Sequence, residues 1–377
     1  MTSSLGPVAP MDVSGRLGRL REELSERGLH AVVVTNPANV RYLSGFSGSA
    51  GVVTVTAERA LLATDGRYRT QSAEELAGAG AAERFELAIG GGDAQRKAIC
   101  ALLGVGSSLQ VAFEAEHLSW AASRRWRDHL PQGCTGVPVT GLVEELREVK
   151  DEGELARMER AAAIADSALQ EVLPMLAGSS GVTEQGFALE LDTAMRRHGA
   201  SDRAFDTIVA VGAHSAKPHH QPTAAPIEPG EPLVVDFGAT YDGYRSDMTR
   251  TFFVGGEPTG EMARVLAVVA ASQAMGVAKV APGVAAKDVD GVCREVIADA
   301  GWSERFEHGT GHGVGLDVHE APTVSQLGTA ILGPGVVVTV EPGVYLPGIG
   351  GVRIEDTLVV TQDSNRALTR FPKDVVV

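Results

Sequence analysis

The stretch EPLVVDFGATYDGYRSDMTRTFFVG, residues 231–255, sets acids inside two apolar runs separated by a turn signal, TYDG. Two such runs around a short polar turn read as a β-hairpin. A turn centred between Tyr241 and Asp242 places Asp236 directly opposite Asp247, with Cβ atoms about 5 Å apart. A one-residue slip would send one of them to the other face of the sheet. A second stretch, VVVTVEPGVYLPGIGGVRIEDTLVV, residues 336–360, repeats the arrangement. With its turn centred on Gly348, Glu341 comes opposite Glu355. Asp236-Phe237-Gly238 is echoed by Glu341-Pro342-Gly343, which points to two halves related by pseudo-symmetry.

Like charges opposite one another destabilise a sheet. Burying them costs more, several kcal/mol for each ionised carboxylate. A single acid on a strand is ordinarily a surface or turn-capping residue; opposed acids on two hairpins are not. Arg250 and Arg353 are the basic residues expected close to them. Two cations against four carboxylates leave a deficit that a pair of divalent metal ions would remove.

A third segment, HGTGHGVGLDVHE, residues 308–320, packs three histidines among four glycines. Glycine lets a backbone approach a neighbour closely. The spacing is not that of a zincin helix, H-E-x-x-H. One neutral imidazole would complete an acidic metal site, but spacing does not choose among His308, His312 and His319. GAHSAKPHHQPT, residues 212–223, is loop-like and carries His214, His219 and His220. Beside a metal site it would offer a hydrogen-bond donor to a substrate carbonyl or oxyanion.

The chain has 377 residues, enough for two domains with real cores. Its 44% apolar content makes it globular. A net charge of −15 argues against nucleic acid and anionic membrane as partners. Cys100, Cys134 and Cys293 are odd in number and far apart, which points to a reducing, cytoplasmic setting without disulfides or thiolate metal sites. Residues 1–13 read as a loose tail without signal-peptide character. Residues 262–281 form the longest apolar stretch, interrupted by Arg264, Gln273 and Lys279; it reads as a mostly buried helix of a soluble protein.

Residues 14–145 alternate helices and strands, as in a small α/β domain. Ser14 is the expected cap of a helix running to about Leu29, followed by strands at 31–35, 51–56, 60–64 and 110–114 and a helix over 118–130. A charged stretch puts the domain boundary near 145–150. Residues 146–377 carry a long helix, a second over 183–197, and strands at 206–211, 232–238, 244–254, 335–345 and 351–361. Helices at 259–280 and 286–300 lie among the strands. This is the pattern of an α+β domain on an antiparallel sheet with helices on one side.

The series Asp236, Asp247, His312, Glu341 and Glu355 resembles the five-ligand dinuclear site of the pita-bread metallopeptidases (family M24). That family includes methionine aminopeptidase, aminopeptidase P and prolidase. VVDFGA, SDMTRT, HGTGHGVGLDVHE, VEPGVY and GVRIEDT look like its Xaa-Pro branch. GLHAVVVTNPANVRYLSGFSGSAG and TDGRYRTQS resemble the creatinase-type N-terminal domain. The likeness extends over about residues 14–370. It implies an α+β fold: a C-terminal pita-bread (creatinase/aminopeptidase-like) domain and a smaller N-terminal α/β creatinase-type domain.

The same resemblance implies roles. Asp236 would hold one metal, Asp247 and Glu355 would bridge both, and His312 and Glu341 would hold the second. Manganese is favoured, with cobalt, zinc or iron as alternatives. Water activated between the ions would attack an Xaa-Pro bond of a short proline-containing peptide. Glu341 would pass the proton to the leaving nitrogen. His219 and His319 would line the substrate site as catalytic and binding groups. His308 would have a secondary substrate role, and Arg353 would steady the acids and border the substrate. A homodimer is implied, with the N-terminal domain of one copy bordering the other's active site. One departure stands out. Where many prolidases carry an arginine that grips the dipeptide carboxylate, HEAPTVS has Thr323, which tilts the reading towards longer peptides. A creatinase-like amidinohydrolase and a non-catalytic pita-bread binding protein are the alternatives, and both branches ordinarily lack these ligands.

Overall fold

The computed structural model describes residues 8–104, 108–177, 181–373 and 376–377. The chain divides into two compact units between Arg147 and Glu148. The expected tail at 1–13 lies, up to Pro7, outside the described residues. Its end is not loose: Val13 is buried and its amide donates to the Ala79 carbonyl.

The N-terminal unit is built from helices α1 (Arg16–Glu26), α2 (Pro37–Ser44), α3 (Arg69–Gly78), α4 (Gly92–Leu103), α5 (Trp120–His129) and α6 (Glu144–Glu148), the last running to the boundary. Its strands are β1 (Ala31–Val34), β2 (Gly51–Thr56), β3 (Ala60–Thr64), β4 (Glu86–Ile89), β5 (Leu109–Glu114) and β6 (Cys134–Val139). They form one mixed sheet in the order β4-β3-β2-β1-β5-β6. The unbroken run AVVV of β1 suits a strand buried on both faces, and all four residues are buried. Leu17, Leu20 and Leu24 line the buried face of α1. Ser14 does not cap that helix. Gly15 holds the capping position without a side-chain bond, and the Ser14 amide donates to Asp12 instead.

The C-terminal unit begins with α7 (Glu152–Val172), started by a reciprocal capping box between Asp151 and Glu154. It continues with α8 (Glu184–Arg197), capped by Thr183, and later α9 (Gly260–Lys279) and α10 (Ala286–Asp299). Its strands are β7 (Asp202–Arg203), β8 (Ile208–Val211), β9 (Pro232–Phe237), β10 (Ala239–Tyr241), β11 (Tyr244–Arg245), β12 (Met248–Phe253), β13 (Gly311–Gly313), β14 (Glu320–Val324), β15 (Val337–Val340), β16 (Gly343–Leu346), β17 (Gly350–Arg353), β18 (Asp356–Val360) and β19 (Asn365–Ala367). Their ladders are antiparallel, as the sequence suggests, but they make several small sheets instead of one. The orders are β12-β9-β8, β11-β10-β7, β14-β13-β15-β18-β19 and the pair β16-β17. One apolar core gathers Leu169, Phe187, Leu191, Val235 and Phe252; a second gathers Val269, Val289, Ile297, Val338 and Leu358. Each such side chain contributes about 1.5–3 kcal/mol by leaving water.

Two further expectations need correcting. In the first hairpin, Asp236 pairs with Thr249, not with Asp247. The turn residues are Asp242 and Gly243, both at positive φ (46° and 77°), which is the two-residue turn that matches strand twist. The register therefore moves by two residues. Because the side-chain period is also two, Asp236 and Asp247 remain on one face as diagonal neighbours. The second hairpin keeps its expected register: Gly343 pairs with Arg353 and Val340 with Asp356, so Glu341 and Glu355 lie opposite each other in the gap between two ladders. The other correction concerns α9, which is not mostly buried. Val265, Val269, Ser272, Gln273 and Gly276 are buried along one stripe, and its small alanines make up much of the exposed side. This helix is long and apolar enough to cross a membrane by length and composition alone, a test that core helices also pass.

Candidate metal centre and active site

The two hairpins and the glycine-rich segment converge on one cavity of about 670 Å³. Asp236, Asp247, His312, Glu341 and Glu355 all line it, together with His219, His308, His319, Thr323 and Arg353. A larger cleft of about 840 Å³ runs along α10 and contains none of these residues.

Each acid is placed by backbone pairing. Asp236 belongs to the β9 ladder. The Glu355 amide donates to the Thr249 carbonyl, and the Glu341 amide donates to the Thr310 carbonyl at 2.8 Å. His312 sits at an irregularity of β13. The glycines beside it answer why that segment is so rich in them: a Cβ on Gly311 would run into the Thr339 carbonyl, and one on Gly313 into the Ala321 carbonyl.

His312 Nδ1 donates to the Gly313 carbonyl at 3.0 Å, which leaves Nε2 pointing inward at the acids. Nε2 is 3.2 Å from Glu341 Oε1 and 3.6 Å from Asp247 Oδ2. Donor atoms of Asp247, His312 and Glu355 all fall within 4.8 Å of one another.

Neutralisation is incomplete. Arg353 Nη2 donates to Asp236 Oδ2 at 2.7 Å. Asp236 Oδ1 is buried with no hydrogen-bond partner. Glu355, 1% exposed, accepts from the Thr249 hydroxyl at 2.8 Å, and no Lys or Arg pairs with it among the described residues. Arg250, the second cation expected nearby, turns away to Asp356 and the Phe371 carbonyl. Burial, reinforced by the neighbouring carboxylates, pushes Asp247 and Glu355 well above the ordinary carboxylate range, and burial also raises Asp236. Burial acts on Glu341 too, but the His312 hydrogen bond and charge overcome it and hold Glu341 down at about 2. An orphaned oxygen, mutually repelling acids and an inward-facing imidazole are what a divalent-metal site requires.

The remaining residues divide. His219 and His319 are exposed in the cavity, and the His319 ring meets the His312 ring edge-on with centroids 4.3 Å apart. Burial lowers the His319 pKa. His308 has both ring nitrogens engaged: Nδ1 with the Gly309 carbonyl and Nε2 with the Tyr345 hydroxyl, each at 2.8 Å. Arg353 is 3% exposed and donates to Asp236, Thr249 Oγ1, Tyr345 Oη and the Pro218 carbonyl. Thr249 and Tyr345 were missed in the sequence. Thr249 follows Asp247 by two positions on a strand, which was a usable signal for a shared face; the hydroxyl of Tyr345 within an apolar run was a fainter one. Phe205, Thr207 and Ile208, which also line the cavity, left no signal.

Residues 156–362 match the model of metallopeptidase family M24, and residues 16–149 match the creatinase/prolidase N-terminal domain. The chain is 34% identical to an Xaa-Pro dipeptidase of Pyrococcus horikoshii over 97% of this chain and 100% of that relative. Its structure is similar to an Xaa-Pro dipeptidase from Bacillus anthracis, with TM-score 0.90 and 36% identity over 97% of this chain and 100% of that one. It is also similar to an X-Pro aminopeptidase from Thermotoga maritima, with TM-score 0.84 and 35% identity over 96% and 99% of the two chains. With its two-unit build, its N-terminal match and the matched span around the acidic cavity, the chain belongs to metallopeptidase family M24.

Proposed function

We propose that this chain hydrolyses the Xaa-Pro bond at the N-terminus of short peptides, using two divalent ions held by Asp236, Asp247, His312, Glu341 and Glu355. One observation carries the reading: four buried or half-buried carboxylates share a single guanidinium, that of Arg353, and one of their buried oxygens has no partner. The family resemblance assigns Asp236 to one ion, His312 and Glu341 to the other, and Asp247 and Glu355 to both. The oxygen-rich donor set with one imidazole suits manganese, our preference, and also cobalt, iron or zinc. When bound, the ions supply Lewis acidity, bringing the pKa of a water towards neutrality and polarising a carbonyl.

The chain's own residues do the rest. His219 and His319 face the cavity and are the donors we assign to the carbonyl oxygen of the scissile bond and to the peptide backbone. Glu341, close to His312, is the group we assign to carry a proton to the departing imino nitrogen. To His308 and Arg353, which also line the cavity, we assign positioning. Their polar atoms are already committed to Tyr345, Asp236 and Thr249, so they position the acids and the histidine segment.

Among the described cavity-lining residues, Arg353 is the one Lys or Arg, and Asp236 holds it. No cation is then left to grip a dipeptide's terminal carboxylate beside Thr323. This supports peptides of three or more residues, as in an aminopeptidase P. The dipeptidases among the relatives favour the second reading, an Xaa-Pro dipeptidase. A metal-dependent assay of an Xaa-Pro dipeptide beside an Xaa-Pro-Yaa tripeptide separates the two: kcat/KM at least about tenfold higher on the tripeptide is expected, and the reverse ranking selects the dipeptidase. The family also leads us to expect a homodimer in the cytoplasm; sedimentation giving only monomer at micromolar concentration would count against the dimer.

A further inference from the structure

We propose that Glu184, His214 and His220 form a third divalent-cation site, suited to zinc and made of none of the five residues assigned to the acidic cavity, whose wall His220 also lines. Glu184 opens α8 and is wholly buried. Its Oε1 lies 2.9 Å from His214 Nδ1, and its Oε2 lies 2.9 Å from His220 Nε2. The two rings stack with centroids 4.3 Å apart. One donor atom from each residue can be chosen so that all three lie within 4.8 Å of one another. Tetrahedral zinc, with ligands at about 2.0–2.1 Å, spaces its donors roughly 3.3 Å apart, between the 2.9 Å of the two hydrogen-bonded pairs and the 4.8 Å that bounds the three-donor set.

The chemistry of the donors supports an ion over a plain hydrogen-bonded knot. Glu184 is an ionised buried carboxylate, yet among the described residues no Lys or Arg pairs with it. Its other partners are the Val211 amide, the Thr223 amide and the Thr223 hydroxyl. Those three bonds, with backbone and hydroxyl donors fixing the carboxylate, are the support that ligating carboxylates ordinarily have. Two imidazoles and one carboxylate with an open fourth position make a zinc donor set. An imidazole that binds the ion turns a lone pair inward and carries its proton on its other ring nitrogen. The side chain of His214, 33% exposed, leaves an entry and room for a water as fourth ligand. An ion here ties the start of α8 to the 212–223 segment that carries His219. The proposal does not depend on the catalytic reading.

The test is zinc content. Wild type, His214→Asn and His214→Gln are equilibrated with zinc, desalted and analysed by elemental mass spectrometry. Both variants are expected to hold about one zinc per chain fewer than wild type. Equal content in all three overturns the site. The total in wild type reports on the cavity, and only the difference reports on this cluster, so the two readings fail separately. A second measurement uses cobalt(II) on the Asp247→Asn/Glu355→Gln chain. An intense visible spectrum of tetrahedral cobalt that His214→Asn removes is expected; a spectrum unchanged by that substitution overturns the proposal.

Discussion

Glu355 and Asp356 are adjacent in sequence, both nearly fully buried, and treated in opposite ways. Asp356 accepts from Arg250, Gln273 and Thr369, and Lys373 Nζ lies 2.5 Å away. Glu355 looks into the cavity with one hydroxyl donor and three other acids nearby. Strand alternation sends the two side chains to opposite faces. One face was built to neutralise an acid with protein groups and the other was not. The difference teaches that the shortage of cations in the cavity is local: Arg250 on the neighbouring strand β12 is aimed at Asp356, and Arg353 alone is turned to the cavity acids.

The comparison is broken most directly by removing each acid in turn. Glu355→Ala is expected to lower Xaa-Pro hydrolysis at least about a thousandfold and to reduce bound metal, since this carboxylate would serve both ions. Metal analysis beside turnover checks it, and full activity at unchanged metal content would remove Glu355 from the site. Asp356→Asn should do the converse. Taking one member from a buried ion pair costs about 3 kcal/mol, so thermal unfolding should shift down markedly while metal content is retained. If both substitutions behaved alike, the contrast between the two faces would be wrong.

His219→Ala sharpens the contrast differently, because His219 faces the cavity without belonging to the acidic cluster. Loss of one donor to a developing oxyanion is worth about a hundredfold in kcat. The expected result is that loss with both metals still bound; metal loss would make His219 a ligand.

Much of this was legible in the sequence for a physical reason. Acids inside apolar strands have few stable solutions, so Asp236, Asp247, Glu341 and Glu355 announced themselves, and the Gly348 turn gave the second hairpin its register outright. A turn centred between Tyr241 and Asp242 puts the first register two residues off, because the positive-φ pair is Asp242 and Gly243. What stayed hidden was which partner each polar atom takes. Nothing in VEPGVY says that the Tyr345 hydroxyl meets His308, and nothing in SDMTRT says that Arg250 turns to Asp356 while Arg353 turns to Asp236. Such pairings are made between segments far apart in the chain. The alanine-rich α9 misled in another way: alanine counts as apolar but is exposed at little cost, so composition overstated its burial.

The smallest expected effect is on stability against pH in the ion-free protein. Asp247 and Glu355 are held well above the ordinary carboxylate range by burial and mutual repulsion. Above about pH 4 the folded state therefore keeps protons that the unfolded chain has released, and stability falls as pH rises. Asp166, raised by burial to about 6, adds the same sign, but it lies outside the cluster and acts whether or not metal is bound. Glu341 works in the opposite direction: held at about 2, it weakens the fold only as pH drops below the ordinary range. As pH rises above about 5 the ion-free protein should lose more stability than the metal-loaded protein. The Asp247→Asn/Glu355→Gln chain should lose less than the ion-free wild type, since its amides have no proton to surrender. Denaturant melts at several pH values, with and without chelator, measure the difference. Coincident curves for loaded and ion-free protein would mean that the cavity acids are matched after all, and that Glu355 is no different from Asp356.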